Sequence, residues 1–227
     1  QEREQQQQQA AAPKGARAPL PFDPAQVLAQ LLLPDAAEGQ PMLLRGRALC
    51  TAARLSPHVG AASLAPLVQA LTAALGVEQP AALRMCACRA LADVCEAVTG
   101  GAGAGLAVLV GAVGAIMPLL AALLPFPSED AAILTLDAIR ATLRLDAATS
   151  AACEPWLTPA LLQLWSARRG EHLTSSAVVD AIRALALAPA AVPGLVQRLL
   201  PALGEVLDMQ LAADAQRAPS GSDGDDE

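Results

Sequence analysis

The sequence predicts an all-α protein, an α-solenoid of stacked antiparallel helix pairs, and three observations carry that reading. Within residues 21–211 the dipeptide Arg-Ala recurs at Arg47, Arg89, Arg140 and Arg183, at intervals of 42, 51 and 43 residues. The last two copies share the longer strings Asp137-Ala138-Ile139-Arg140-Ala141 and Asp180-Ala181-Ile182-Arg183-Ala184. A second series, Pro66, Pro118, Pro159 and Pro201, recurs at intervals of 52, 41 and 42. Five positions after these prolines stand Leu71, Leu123, Leu164 and Val206, and the step from a proline to the next arginine holds at 23, 22 and 24 residues. Two interleaved series in fixed phase, with a period in the forties, mark one supersecondary unit repeated along the chain. The third observation is composition: 54% of the 227 residues are apolar, yet aromatics make up 2% and tyrosine is absent. Ala and Leu supply the apolar mass and favour helix, while the β-branched and aromatic strand formers are scarce.

Residues 1–20 are rich in Gln, Ala and Pro without apolar periodicity, and read as a disordered segment. The repeat array is expected over 21–211, as about four pairs and a terminal half-pair. Asp23-Pro24 opens it, with Asp as N-cap and Pro in the first turn, and the helix runs through Leu33 to a stop at Pro34. Pro41 starts the next, through Leu55, which carries Arg47. Ser63 is expected to cap a helix through Leu75, ended by Gly76, and its partner runs from Pro80 to Thr99 before Gly100-Gly101. In that partner Leu83, Ala87, Ala90, Leu91, Val94, Cys95 and Val98 follow the i, i+3, i+4, i+7 pattern of a buried face, leaving Arg84, Arg89 and Glu96 on the polar side. A third pair is expected over 106–124 and 128–145, a fourth over 151–167 and 174–187, and the half-pair over 191–211. Each phased proline falls inside the first helix of its pair, where it removes one backbone hydrogen bond and bends the helix. Residues 212–227 are polar, acidic and Gly/Ser-rich, and read as a disordered tail. The connections are short, which makes neighbours antiparallel, and stacking then buries the apolar face that a single hairpin cannot.

The net charge of −7 is concentrated in the closing run Ser222-Asp223-Gly224-Asp225-Asp226-Glu227, and Lys14 is the one lysine. Without a basic patch or an aromatic stacking platform, the sequence gives no support for direct nucleic-acid binding. The five cysteines, Cys50, Cys86, Cys88, Cys95 and Cys153, read as small buried thiols of a reducing compartment. Cys86 and Cys88 point to opposite sides of a helix, and His58 and His172 are remote, so no metal site is expected. The alternating Gly101, Gly103 and Gly105 lack phosphate-loop spacing, and no nucleophile, base and orienter come together; neither a cofactor nor an enzyme is expected. The stretch 106–124 is long enough to cross a bilayer, but Pro118 and Leu123 fit the repeat register and no basic flank sets an orientation; a buried repeat helix is expected, and a small membrane protein is the rival.

The recurring charges are the candidate interaction residues: Arg47, Arg84, Arg89, Glu96, Asp137, Arg140, Asp180 and Arg183. An Asp-Arg pair at i, i+3 bridges neighbouring turns or adjacent repeats, and the same helices would present one face of a superhelix to a partner.

Pro80-Ala81-Ala82-Leu83-Arg84, with Ala87 and Ala90-Leu91 after it, matches the second-helix pattern of HEAT repeats, the armadillo-like helical class. More narrowly, Leu44-Arg45-Gly46-Arg47-Ala48-Leu49 and Gln79-Pro80 through Arg84, with Arg89-Ala90, resemble the central array of importin-9-like karyopherin-β nuclear transport receptors. Ser128-Glu129 and Val192–Val206, with Arg198-Leu199-Leu200-Pro201, continue the likeness, which spans about 42–209. The resemblance implies a central fragment of a non-catalytic receptor that shuttles between cytoplasm and nucleus. Its implied partners are basic cargo such as core histones or ribosomal proteins, nucleoporins, and the GTPase Ran through repeats outside this chain. The alternative is another HEAT scaffold, a phosphatase or condensin type of subunit. The absence of an initiator Met fits an excised piece. In such a piece the half-pair leaves Leu195, Val196, Leu199, Leu200, Leu203 and Val206 as an uncovered stripe. Self-association through that stripe is the expected outcome in sedimentation; a clean monomer would oppose it.

Overall fold

The computed structural model describes residues 20–99 and 104–217, and every element in them is helical. The segment expected to be disordered at 1–20, apart from Leu20, and the end of the acidic tail at 218–227 lie outside the described residues, as do Gly101 and Gly103.

The first helix, α1 (24–36), is capped by Asp23, whose side chain accepts from the Ala25 amide, as expected. Pro34 does not stop it. The helix widens into a π-turn over Leu28–Leu32, with the Leu33 amide reaching back to the Leu28 carbonyl, and continues as Leu33–Ala36. The wider turn accommodates a proline that a regular α-helix interior would reject. Then follow α2 (Met42–Leu55), α3 (Ala61–Ala74), α4 (Ala81–Thr99), α5 (Ala104–Ala121), α6 (Glu129–Leu143), α7 (Ala147–Ala167), α8 (His172–Ala186) and α9 (Val192–Arg217). Ser128 caps α6 as expected, whereas Gly60 rather than Ser63 precedes α3. The start of α7 lies at Asp146, whose carboxylate accepts from the Thr149 amide at 2.7 Å and hydroxyl at 2.6 Å. The last helix runs six residues past the expected boundary at Leu211, to Arg217.

The helices pack in two rows. α2, α4, α6 and α8 lie side by side in one, and α1, α3, α5, α7 and α9 in the other. Register contacts give the directions within each row. Arg45 meets Gln79 and Cys50 meets Cys86 across α2 and α4, and Cys88 meets Thr135 and Cys95 meets Thr142 across α4 and α6. In the other row Glu154 of α7 meets Arg198 of α9, and Arg169, just past the end of α7, meets Met209 of α9. Partners rise in sequence together, so helices within a row are parallel, and connections of three to seven residues fold each helix back against its predecessor. One continuous apolar core runs between the rows from Leu28 to Leu195.

The two rows fill that core differently. The even-numbered row buries many small side chains, among them Ala48, Ala52, Ala53, Ala87, Cys88, Ala90, Ala138, Ala141, Ala181 and Ala184. The other row buries larger aliphatics: Leu64, Leu67, Leu71, Leu109, Ile116, Met117, Leu120, Leu157 and Leu161. Small residues let helix axes approach closely, towards the short end of the ~8–10 Å range. Between α2 and α4 the approach requires Gly46, since a Cβ there would stand 2.9 Å from Cys86 Sγ.

Each phased proline lies in the second row, inside α3, α5, α7 or α9, and each is exposed. The carbonyls they leave without a helical donor belong to Ala62, Gly114, Pro155 and Gln197, which are exposed too. Carbonyls on residues open to solvent need no protein donor, so the helix tolerates the proline at reduced cost. α5 is the one described helix whose length and composition would let it cross a membrane. It packs against α3, α6 and α7, burying Leu109, Val113, Ile116, Met117 and Leu120 while Gly111, Gly114 and Ala115 face outward. At the far end α8 and residues 189–212 are inclined by 109°. Of the stripe expected to be uncovered, Val196, Leu200 and Leu203 are exposed, Leu199 and Val206 half-buried, and Leu195 buried.

Burial raises the thiols of Cys88 and Cys95 to about 12, so both stay protonated at neutral pH and act as packing groups. The Asp146 carboxyl moves the other way, below its usual 3.8, because Thr149 donates from its hydroxyl and then its amide. A depressed carboxyl contributes stability that is complete above 3.8 and is lost as pH falls through the lower folded value. Asp146→Asn, which keeps a capping side chain but not the titration, is expected to flatten the acid limb of the melting-temperature profile below that point. An unchanged acid limb would show that this cap does not contribute there.

Candidate functional site

The recurring arginines all fall on the even-numbered row, and each stands next to two buried residues: Ala48-Leu49, Ala90-Leu91, Ala141-Thr142 and Ala184-Leu185. Arg47, Arg89 and Arg183 are exposed and Arg140 is half-buried, so the four project from the same side of the row. Their heights differ. Arg47 is the sixth residue of α2, Arg89 the ninth of α4, and Arg140 and Arg183 the twelfth of α6 and α8.

The expected i, i+3 pairs form. Arg140 Nη2 lies 3.5 Å from Asp137 Oδ1, and Arg183 Nη1 lies 2.9 Å from Asp180 Oδ1. Arg140 also reaches Glu96 Oε1 on α4 at 3.4 Å, so this arginine ties turns of one helix and neighbouring helices together. These groups are substantially exposed, and each pair contributes about 0.5 kcal/mol.

Arg84 is a correction. The amphipathic pattern put it on the polar side, but it is only 8% exposed. α4 is flanked by both α2 and α6, so its buried arc is wider than one apolar stripe, and Cys88 and Arg84 fall within it. Its guanidinium serves the backbone: Nε donates to the carbonyl of Leu75, at the end of α3, at 3.1 Å. Terminal carbonyls of a helix lack intrahelical donors and carry partial negative charge, which a cation satisfies. Arg45 does the same one unit earlier, with Nε on the Ala36 carbonyl at 3.3 Å and Nη1 on Gln79 Oε1 at 3.0 Å. Both are fourth residues of their helices and reach nine residues back. In the other row Arg168, at the end of α7, donates to the carbonyl of Phe126 and pairs with Glu171 at 3.2 Å. These clamps were missed as a series because the signal is Pro41 to Arg45 and Pro80 to Arg84, a phase distinct from Arg-Ala.

Arg144 was missed as well. It lies one turn beyond Arg140, exposed, and its side chain has no hydrogen bond or ion pair among the described residues. It lines two cavities that open on the same face. One, about 300 Å³, lies between α4 and α6 and is lined by Glu96, Thr99, Arg140, Ala141 and Arg144. The other, about 290 Å³, lies between α6 and α8 and is lined by Arg140, Arg144, Asp180, Arg183, Ala184 and Leu187. Guanidinium groups outnumber carboxylates in both linings.

A third cavity, about 270 Å³, sits where α7, α8 and α9 meet, among Leu162, Trp165, Val178, Ile182, Leu199 and Leu203, with Arg183 as the one charged residue of its lining. Arg169 lies over the Trp165 ring at 5.4 Å. A half-buried ion pair closes this end of the odd-numbered row: the buried Glu154 on α7 accepts from the partly exposed Arg198 on α9 at 2.7 Å. Gly194 makes room for it, since a Cβ there would collide with the Glu154 carboxylate.

Compared with known proteins, the chain matches no protein-family model and no curated protein sequence.

Burial separates two arginines that the sequence grouped together. Arg84→Met leaves the Leu75 carbonyl without its donor and is expected to cost about 1–3 kcal/mol in chemical unfolding. Arg89→Glu, on the exposed face, should stay within about 0.5 kcal/mol of the parent. Equal costs would refute this division of roles.

Proposed function

We propose that the chain is a non-catalytic protein-binding scaffold of HEAT-repeat type, an α-solenoid whose even-numbered row faces its partner. The observation that carries this reading is the division of the helices into two parallel-running rows with different core fillings. Packing is denser along the even-numbered row, where small residues are buried, than along the row filled with larger aliphatics. A stack of wedges narrower on one side curves towards that side, which makes the even-numbered row the concave one. Curved helical stacks of this kind present extended concave binding surfaces.

The likeness to karyopherin-β receptors supports a narrower proposal, a segment of a nuclear import receptor for basic cargo regulated by Ran-GTP. The residues that carry the likeness have architectural places here: Arg45 and Arg84 clamp helix ends, Gln79 holds Arg45, and Arg198 holds Glu154. They speak for shared repeat construction more than for shared cargo. The concave face bears Arg47, Arg89, Arg140, Arg144 and Arg183, so on the import reading basic cargo would engage other repeats.

Two measurements separate these levels. Removing 168–227 deletes α8 and α9 and should leave a helical protein that loses ellipticity in proportion, since stacked repeats depend mainly on their neighbours. Complete loss of helicity would oppose the solenoid. Capture of histones or ribosomal proteins by the longer receptor, reversed by Ran-GTP, is the expected result for import; capture insensitive to Ran-GTP would favour another HEAT scaffold.

A further inference from the structure

We propose that Arg140, Arg144 and Arg183 bind an acidic segment of a partner protein in polyproline II conformation, with carboxylates three residues apart seated in the two cavities beside α6. This rests on the reading of the even-numbered row as the partner-facing side.

The recurring Arg-Ala dipeptide builds these sites. In each of the last two copies the arginine forms a wall and the following alanine, Ala141 or Ala184, lines the same cavity. Both alanines are nearly fully buried, so a larger side chain would fill the space from below. Arg140 is held by Glu96 and Asp137, and Arg183 by Asp180. Arg144 stands between the cavities without a counter-charge among the described residues, and lines both. A carboxylate entering either cavity meets this free guanidinium, which binds carboxylates through a planar fork of donors.

Spacing selects the conformation of the ligand. One helix, α6, separates the two cavities, and the width of a helix in a packed row is about 8–10 Å. A polyproline II segment rises about 3.1 Å per residue with three residues per turn, so residues i and i+3 share one face about 9 Å apart. A β-strand places same-face residues about 6.7 Å apart, and a third residue on it points the other way. The sequence pattern that fits is Glu-Pro-Pro-Glu or its Asp equivalent.

The test uses fluorescein-labelled peptides in fluorescence anisotropy with the full chain: Glu-Pro-Pro-Glu, Glu-Pro-Glu and Lys-Pro-Pro-Lys, each within the same Gly-Ser flanks. The expected result is that Glu-Pro-Pro-Glu binds at least about tenfold more tightly than the other two and weakens with added salt. Arg144→Ser should remove about tenfold of that affinity with an unchanged melting curve, because the side chain holds nothing in the fold. Arg89→Ser, on the same row but lining neither cavity, should leave binding unchanged. Equal binding of Glu-Pro-Pro-Glu and Glu-Pro-Glu, indifference to Arg144→Ser, or displacement by inorganic phosphate as effective as by peptide would each overturn the inference. If no peptide binds while the shortened chain keeps proportional helicity, the inference fails and the scaffold reading stands. Loss of all helicity in the shortened chain removes the scaffold reading itself.

Discussion

Close lateral approach of α2, α4, α6 and α8 is the constraint on which the rest of the structure depends. A two-helix unit of this size has no core of its own; its apolar faces become interior only when the next unit lies against them. Gly46, Ala48, Ala87, Cys88, Ala138, Ala141, Ala181 and Ala184 permit that approach, and the longer aliphatics of the other row fill the space behind. The scarcity of aromatics follows naturally. A ring at any of these positions would push neighbouring helices apart and open the interior to water.

An array of short helices exposes many helix ends, and this chain satisfies them from across the structure. Arg45, Arg84 and Arg168 each bring a guanidinium to a carbonyl at or beyond the end of another helix. Each bond therefore fixes the position of one helix relative to another as well as completing a backbone acceptor. The prolines follow a complementary rule. They occur where the unpaired carbonyl faces water, so they mark the outer surface of one row and are absent from the interiors of α2, α4, α6 and α8.

Much of this was legible in the sequence because it depends on local pattern. The all-helical class, the helix cores, the caps at Asp23 and Ser128 and the buried face of α4 follow from periodicity and capping chemistry. What was not legible depends on neighbours. Whether Arg84 is outside or inside is decided by α2 and α6 flanking α4, which no single-helix pattern records. Pro34 reads as a stop because a π-turn leaves no mark in composition. The cap at Asp146 was overlooked: the expected start at residue 151 lies four residues inside the helix that Asp146 opens. Arg144 was passed over for a simpler reason: it belongs to no repeat, and it stands out only once Arg140 and Arg183 are seen to be engaged.

The unequal heights of the four arginines give the exposed face of the even-numbered row a gradient. With Cys50 level with Cys86 and Cys95 level with Thr142, Arg89 stands about six residues above the level of Arg47 and Arg140 about four above that of Arg89, a climb of about 6–9 Å per step. Between α6 and α8 the climb stops. A chain laid across this surface would ascend obliquely from α2 to α6 and run level from α6 to α8. The level stretch holds the cavity between α6 and α8, whereas the cavity between α4 and α6 lies on the climb, so one arginine-lined hollow ends the slope and the next begins the flat.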